Sequence, residues 1–339
     1  MQISDHKGIP GWHPDENRYN LMPYRRTAAS GLKFPALSFG LWHNFGDCDD
    51  LHRARLTLRS AFDHGITHFD LANNYGPPYG SAEENFGKIF RKDFLSYRHE
   101  LLISSKAGYD MWPGPYGRGG SKKYLLTSIE QSLKRTGLEY FDIFYHHCPD
   151  PETPLEETAL ALLQILRQGK AIYAGISNYD HEKMHTMQKL MQSGGSAVLV
   201  NQIKYSLLNR SPEKNVLAEA EKLGIAVMAF SPLAQGILTD RYLDGIPENS
   251  RAGKDYSYLK LDKQPENLER ARKLAVIAGR RGQSLARMAV AWLLRNPGVT
   301  SVLIGASSPE QIKDNVRAVE NISFSDAELS AIEAALTGI

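Results

Sequence analysis

Four side chains in the first half of the chain have the types and placement for proton chemistry: Asp70, Tyr75, Lys106 and His147. Three of them close short apolar segments. Gly65-Ile-Thr-His-Phe-Asp70 ends on a carboxylate, Leu101-Leu-Ile-Ser-Ser-Lys106 on an ammonium, and Phe141-Asp-Ile-Phe-Tyr-His-His147 on an imidazole; Tyr75 follows Asp70 in a turn rich in Asn and Gly. A lysine at a strand end inside a protein is a desolvation liability unless a counter-charge meets it, and Asp70 on a neighbouring strand supplies one. A phenol with a pKa of about 10 is a poor acid at neutral pH, and an adjacent ammonium favours its phenolate, bringing it nearer the working range. His147 can hydrogen-bond a carbonyl oxygen that is gaining charge while Tyr75 donates the proton. Such a set reduces a carbonyl once a hydride source is present, and a bound nicotinamide would be one. Taken singly, Asp70 reads equally as a helix cap, Tyr75 as a packed loop aromatic and Lys106 as a surface lysine.

The elements that must position these groups repeat along the chain. Strands are expected at residues 35–42, 67–70, 101–106, 141–147, 171–177, 197–202, 226–231 and 301–304. Helices are expected at 51–64, 81–90, 123–136, 155–168, 180–191, 212–223, 284–295 and 309–319. Gly65, Gly137, Gly169, Gly194 and Gly224 fall where helix C-caps belong, and nearly continuous apolar runs such as Ala171-Ile-Tyr-Ala-Gly-Ile suit parallel strands buried on both faces. Eight strand–helix repeats predict a (β/α)8 TIM barrel with additional C-terminal helices at 266–281 and 325–336, the latter opened by the capping box Ser325-Asp-Ala-Glu328. A doubly wound open sheet competes, but no G-x-G-x-x-G turn follows the first strand. Gly114-Pro-Tyr-Gly-Arg-Gly119 resembles a P-loop only loosely, because Gly120 stands where the lysine belongs. In such a barrel the active site forms at the C-terminal ends of the strands, where Trp42, Asp70, Lys106, His147, Ser177, Asn178, Gln202, Phe230 and Ser231 all fall.

Size and charge narrow the classes further. The 339 residues read as one barrel domain over 1–339, residues 1–24 forming a polar leader. Lys+Arg 40 against Asp+Glu 38 leaves a formal charge of +2, with no basic run to follow a duplex, so nucleic acid is not an expected partner. Two cysteines, Cys48 and Cys148, make no disulfide framework, and with no apolar leader or spanning segment the expectation is a cytoplasmic protein without a membrane partner. His146-His147-Cys148 has the residue types of a metal site, but neighbours on a strand face opposite sides, so no metal is expected. Cys148 has no separate histidine to serve as its base, and a structural thiol is expected there.

Phe69-Asp-Leu-Ala-Asn-Asn-Tyr-Gly76, Ile103-Ser-Ser-Lys-Ala107, Asp142-Ile-Phe-Tyr-His-His-Cys-Pro-Asp150, Gly175-Ile-Ser-Asn178, Phe230-Ser-Pro-Leu233 and Ile304-Gly-Ala-Ser307 carry a resemblance to the aldo-keto reductases over essentially the whole chain. Tyr109-Asp-Met-Trp-Pro-Gly-Pro-Tyr-Gly117 and Tyr205-Ser-Leu-Leu-Asn-Arg210 are more specific, resembling the branch of potassium-channel β subunits and bacterial reductases of L-glyceraldehyde 3-phosphate. The resemblance implies a catalytic tetrad of Asp70, Tyr75, Lys106 and His147, and NADP(H) as cofactor. It implies that Ser177, Asn178 and Gln202 hold the nicotinamide carboxamide and Phe230 stacks on the ring. Ser231, Leu233, Gly236, Leu238 and Arg241 would wrap the pyrophosphate, Arg251, Ser307 and Gln311 the 2′-phosphate, and Asn315 the adenine; Asp314 stands where relatives often carry Glu. By the same resemblance Asp70, Gly305 and Trp42 would belong to the cofactor shell, and Trp42, Tyr75, Trp112 and His147 would meet a small carbonyl substrate. The implied activity is NADPH-dependent reduction of aldehydes or ketones, with small aldehydes such as L-glyceraldehyde 3-phosphate or methylglyoxal in view. A nucleotide-binding regulatory subunit with little turnover is the alternative, and a homo-oligomer, tetramer or octamer, is implied by analogy. Residues 108–123, with Trp112, Tyr116, Arg118, Lys122 and Lys123, form a long loop over the expected site, suited to an anionic substrate.

Overall fold

The computed structural model describes residues 11–27, 29–243, 245 and 264–337. A short antiparallel hairpin comes first, β1 (Tyr24–Arg26) paired with β2 (Lys33–Pro35). Eight parallel strands follow: β3 (Leu37–Gly40), β4 (His68–Asp70), β5 (Leu102–Ala107), β6 (Phe141–His146), β7 (Ala171–Ser177), β8 (Val198–Lys204), β9 (Ala226–Phe230) and β10 (Ser301–Ile304). Each pairs with the next and β10 returns to β3, closing a (β/α)8 barrel. The helices are α1 (Leu51–Asp63), α2 (Ser81–Ile89), α3 (Lys122–Thr136), α4 (Leu155–Arg167), α5 (His181–Ser193), α6 (Val216–Leu223), α7 (Pro265–Arg280), α8 (Leu285–Leu294), α9 (Pro309–Val316) and α10 (Asp326–Thr337).

Local chemistry starts and stops these helices. Asp50, Ser121, Asp180, Ser284 and Ser308 accept from backbone N–H groups in the first turns of α1, α3, α5, α8 and α9, satisfying donors that have no partner within the helix. Before α10 the capping box forms in both directions: Ser325 N donates to Glu328 and Glu328 N to Ser325 Oγ. Gly137 and Gly224 end α3 and α6 in the left-handed conformation. At the end of α5 Gly194 is the C-cap, as expected, but not the left-handed residue. Gly194 has φ −88°, and Gly195 takes the left-handed turn. Gly194 is small for another reason, since a Cβ there would come within 2.2 Å of Leu163 on α4.

The first barrel strand is shorter than the apolar run suggested. Pro35 belongs to the hairpin, and after Gly40 the chain bonds only through Leu41 N to Asp70 O before Trp42 leaves the barrel. The hairpin carries Phe34, fully buried and 5.4 Å from the His68 ring, beneath the strands. The polar stretch ahead of it is anchored: Trp12 Nε1 donates to Asp63, and Arg18 pairs with Glu100 at 2.5 Å. Two cores result. One lies between strands and helices, and a second, with Ile143, Tyr145, Val200, Met228 and Leu303, fills the barrel. The additional helices have a packing cause: α8 is buried on nearly every face, α7 covers it, and α10 covers α7.

Candidate active site

Alternation along a strand decides which side chains point inward, so His68 and Asp70 share a face of β4, and Ser104 and Lys106 share a face of β5. Parallel register sets Asp70 opposite Ser104 and Lys106 opposite Tyr145. Lys106 and Asp70 are both wholly buried, with Nζ 2.5 Å from Oδ2. The same ammonium donates to Leu71 O at 2.7 Å and Tyr75 Oη at 3.1 Å, so its three hydrogens are all placed. Its Nζ lies 4.8 Å from the Tyr75 ring centroid and 5.8 Å from that of Tyr145. Burial works against the charge on Lys106, but Asp70 and Tyr75 outweigh it and raise the pKa.

Tyr75 departs from the sequence argument. Desolvation pushes the phenol up and outweighs the opposing pull of Lys106, so its pKa is raised rather than brought toward neutrality. At neutral pH Tyr75 is therefore a firmly protonated phenol whose oxygen already receives an N–H from Lys106. The ammonium is in place to stabilise the phenolate that forms when the proton leaves. His147, just past β6, is held well below the usual histidine range by burial, with the Lys106 charge adding to it. It is a neutral imidazole, its ring 5.9 Å from Tyr75, and its buried Nδ1 has no partner among the described residues. Tyr109, absent from the set of candidates, covers it edge-on with centroids 4.6 Å apart. Tyr109 lies two residues beyond β5, and its being the first aromatic after the Lys106 strand was the available signal.

His146 faces the other way, its Nδ1 2.7 Å from Tyr179 Oη, so the two adjacent histidines do not share a ligand. Burial raises the Cys148 thiol to about 11, which keeps it protonated. Trp42 stands at the mouth, 40% exposed, 6.4 Å from the Tyr75 ring. Trp112 is half-buried and packs on Tyr124 of α3, with ring centroids 5.1 Å apart. The loop around it is tied by Gly119 N to Gly108 O and Met111 N to Gly117 O. Asp150 holds its base by accepting from Gly120 N and Thr153 Oγ1. Of the loop charges, Arg118 is exposed and 3.7 Å from Asp110, Lys122 is exposed, and Lys123 lies over the Tyr116 ring.

A second group of polar side chains continues around the barrel. Ser177 Oγ donates to Gln202 O, and Asn178, left-handed at φ 61°, donates to Ser177 Oγ and to His147 O, linking this group to the first. Gln202 is buried, and its Nε2 donates to the Met228 thioether, a weak acceptor. Half-buried Phe230 ends β9, and the turn beyond it holds Ser231, Ala234, Gln235 and Gly236 all at positive φ. That much strain in one short turn is a mark of a binding loop. Gly236 N and Leu238 N both donate to Leu233 O, and the Leu238 side chain is in the core, so its offering to a ligand is not its side chain. Arg241 is exposed in the next turn, and Arg251 lies outside the described residues. At the start of α9, Gly305 is exposed, Ser307 N donates to Gln311 Oε1 at 2.8 Å and Asn315 is buried, while Asp314 is engaged by Arg287. The orphaned His147 Nδ1 and the run of positive-φ residues in the turn after β9, beside the polar side chains of β7, β8 and the start of α9, fit an extended polar ligand lying along this face.

A closed eight-stranded barrel with a buried Lys–Asp pair under a tyrosine is matched by sequence as well: residues 36–337 fit the aldo/keto reductase family model. The chain belongs to the aldo/keto reductase family, oxidoreductases that generally use nicotinamide cofactors. It is 53% identical over 328 residues to proteins of Escherichia coli K12 and O157:H7 named L-glyceraldehyde 3-phosphate reductase, covering 95% of this chain and 94% of theirs. It is 36% identical over 309 residues to a Schizosaccharomyces pombe protein named as a voltage-gated potassium channel subunit beta, covering 89% of each. Among the described residues no helix is long and apolar enough to cross a membrane.

Proposed function

We propose that the protein reduces small aldehydes and ketones to alcohols with NADPH, and that a phosphorylated triose such as L-glyceraldehyde 3-phosphate is a substrate. The observation that carries the reading is the Tyr75 hydroxyl, protonated and set 3.1 Å from a buried, fully bonded Lys106 ammonium. When bound, the nicotinamide supplies a hydride to the carbonyl carbon. Tyr75 gives its proton to the carbonyl oxygen, and Lys106 steadies the phenolate left behind. Asp70 keeps Lys106 charged and in place. Neutral His147 orients the carbonyl by hydrogen bonding without adding a charge that would compete with that proton transfer. Ser177, Asn178 and Gln202 would hold the carboxamide, Phe230 the ring, the strained turn from Ser231 to Leu238 with Arg241 the pyrophosphate, and Ser307, Gln311 and Arg251 the 2′-phosphate, with Asn315 at the adenine.

The name borne by the Escherichia coli relatives supports the substrate, and the intact Asp70–Lys106–Tyr75 set favours turnover over a purely regulatory role. The test is NADPH-dependent reduction of L-glyceraldehyde 3-phosphate, glyceraldehyde, methylglyoxal and an aromatic aldehyde by the wild type and Tyr75→Phe. Tyr75→Phe is expected to bind NADPH nearly as well and to lose about 10² or more in kcat. Near-normal turnover by the variant removes Tyr75 from its role, and nucleotide binding with negligible turnover by the wild type favours the regulatory reading.

A further inference from the structure

Beneath Asp70 the barrel interior holds a chain of hydrogen bonds that the proposed reaction does not use. Ser301 Oγ lies 2.7 Å from the Pro35 carbonyl oxygen and 2.7 Å from Ser38 Oγ. Ser38 Oγ lies 2.9 Å from His68 Nδ1, and His68 Nε2 lies 2.9 Å from Ser104 Oγ. Ser104 Oγ then donates to Asp70 Oδ1 at 2.6 Å. Ser38, His68, Asp70, Ser104 and Ser301 are all 0% exposed, so no water competes from outside.

Counting protons gives the chain a direction. Apart from a longer contact of Ser301 Oγ with Ala36 O at 3.4 Å, its five contacts run between two groups that only accept, a carbonyl and a carboxylate, so five hydrogens would be needed. Three hydroxyls and a neutral imidazole carry four. The carboxylate is the strongest acceptor and takes the single proton of Ser104. Ser104 can then only accept from the imidazole, which places the His68 proton on Nε2. Nδ1 is left to accept from Ser38, and the shortage falls at the far end, where one Ser301 proton is shared between Pro35 O and Ser38 Oγ. A fifth proton on His68 would fill the gap, but burial holds this imidazole down to about 4; of the charged groups facing it, Asp70 opposes that shift and Lys106 reinforces it.

We propose that His68 is a positioning residue of the reducing site: its Nε2–H, set by Ser38, orients Ser104, and Ser104 holds Asp70 so that Oδ2 meets Lys106. The Lys106 ammonium is thereby aimed at Tyr75. Because the chain ends on the Pro35 carbonyl inside the hairpin and not at solvent, it orients groups and does not conduct protons. The proposal rests on Tyr75 and Lys106 acting as described above, and its first test is independent of turnover. Two-bond nitrogen–proton spectra of the nucleotide-free protein, with the His68 signals assigned by their loss in His68→Gln, are expected to show a neutral imidazole protonated on Nε2 down to about pH 5. An Nδ1–H tautomer or an imidazolium at neutral pH overturns it.

The second test separates positioning from filling. The Gln side chain can place an N–H near the former Nε2, whereas Leu cannot. His68→Leu and Ser104→Ala are expected to lose about tenfold in kcat with KM nearly unchanged, the worth of one hydrogen bond, and His68→Gln to recover most of it. If Gln is as impaired as Leu, or if KM for substrate and nucleotide carries the loss, His68 only fills the barrel and the proposal fails. Near-normal turnover by Tyr75→Phe would instead overturn the reading of the site, and the tautomer would still be read from the spectra.

Discussion

Replacing Lys106 by Met isolates what the buried ion pair contributes. The substitution preserves the unbranched stem and removes the ammonium, so it leaves Asp70 wholly buried with Ser104 Oγ as its remaining side-chain donor, and strips Leu71 O and Tyr75 Oη of an N–H each. Breaking a buried pair by removing one partner costs about 3–5 kcal/mol, because the other charge stays desolvated. The effect on chemistry is separate: Tyr75 loses the cation that stabilises its phenolate, and kcat is expected to fall by about 10² to 10⁴. Urea titrations of wild type, Lys106→Met, Asp70→Asn and the double variant, read at equal m-values, give the cycle. Most of the lost stability is expected to return in the double variant, since no unpaired charge remains, while activity stays lost. If Lys106→Met lies within about 0.5 kcal/mol of wild type, or if the double variant is no more stable than Lys106→Met, the pair is not the desolvated unit described here.

Three further outcomes are expected, the first from the proposed cofactor contacts and the others from the loop and the barrel. Arg251→Ala is expected to weaken NADPH far more than NADH, measured by fluorescence titration, because a guanidinium on a 2′-phosphate is a charge-assisted contact; equal weakening of both would assign Arg251 to the pyrophosphate or to the loop at large. Arg118→Ala or Lys122→Ala is expected to narrow the gap in kcat/KM between a phosphorylated triose and its unphosphorylated counterpart, and an unchanged ranking would make these charges surface features. Burial holds His146 down to about 4 against an ordinary 6.5, so between those values the unfolded chain binds the extra proton and stability falls as pH falls. From pH 7 to pH 5 His146 contributes roughly 2 kcal/mol of this loss, with His68 and His147 acting in the same sense, so His146→Phe should make this part of the urea-midpoint profile shallower by that share; an unchanged profile would show that His146 does not titrate this way.

Much of the barrel and its chemical end was legible in the residues themselves. Eight short apolar runs, each punctuated by a glycine or a capping side chain, imply parallel strands alternating with helices, and strand ends carrying Asp70, Lys106, His147, Ser177 and Gln202 mark one face because alternation and strand direction are local properties. Which inward residue stands beside which is not local. Only register set Ser104 next to Asp70 and made His68 part of the same chain, although the i, i+2 spacing of His68 with Asp70 and Ser104 with Lys106 was visible from the start. Only packing showed that Gly194 is small for Leu163 while Gly195 makes the turn, that Trp112 lies on α3, and that Tyr109 covers His147. The sign of the Tyr75 shift was also beyond reach, because the pull of Lys106 can be named from the residue types, but the opposing cost of desolvation exists only once the surrounding strands have closed over the phenol.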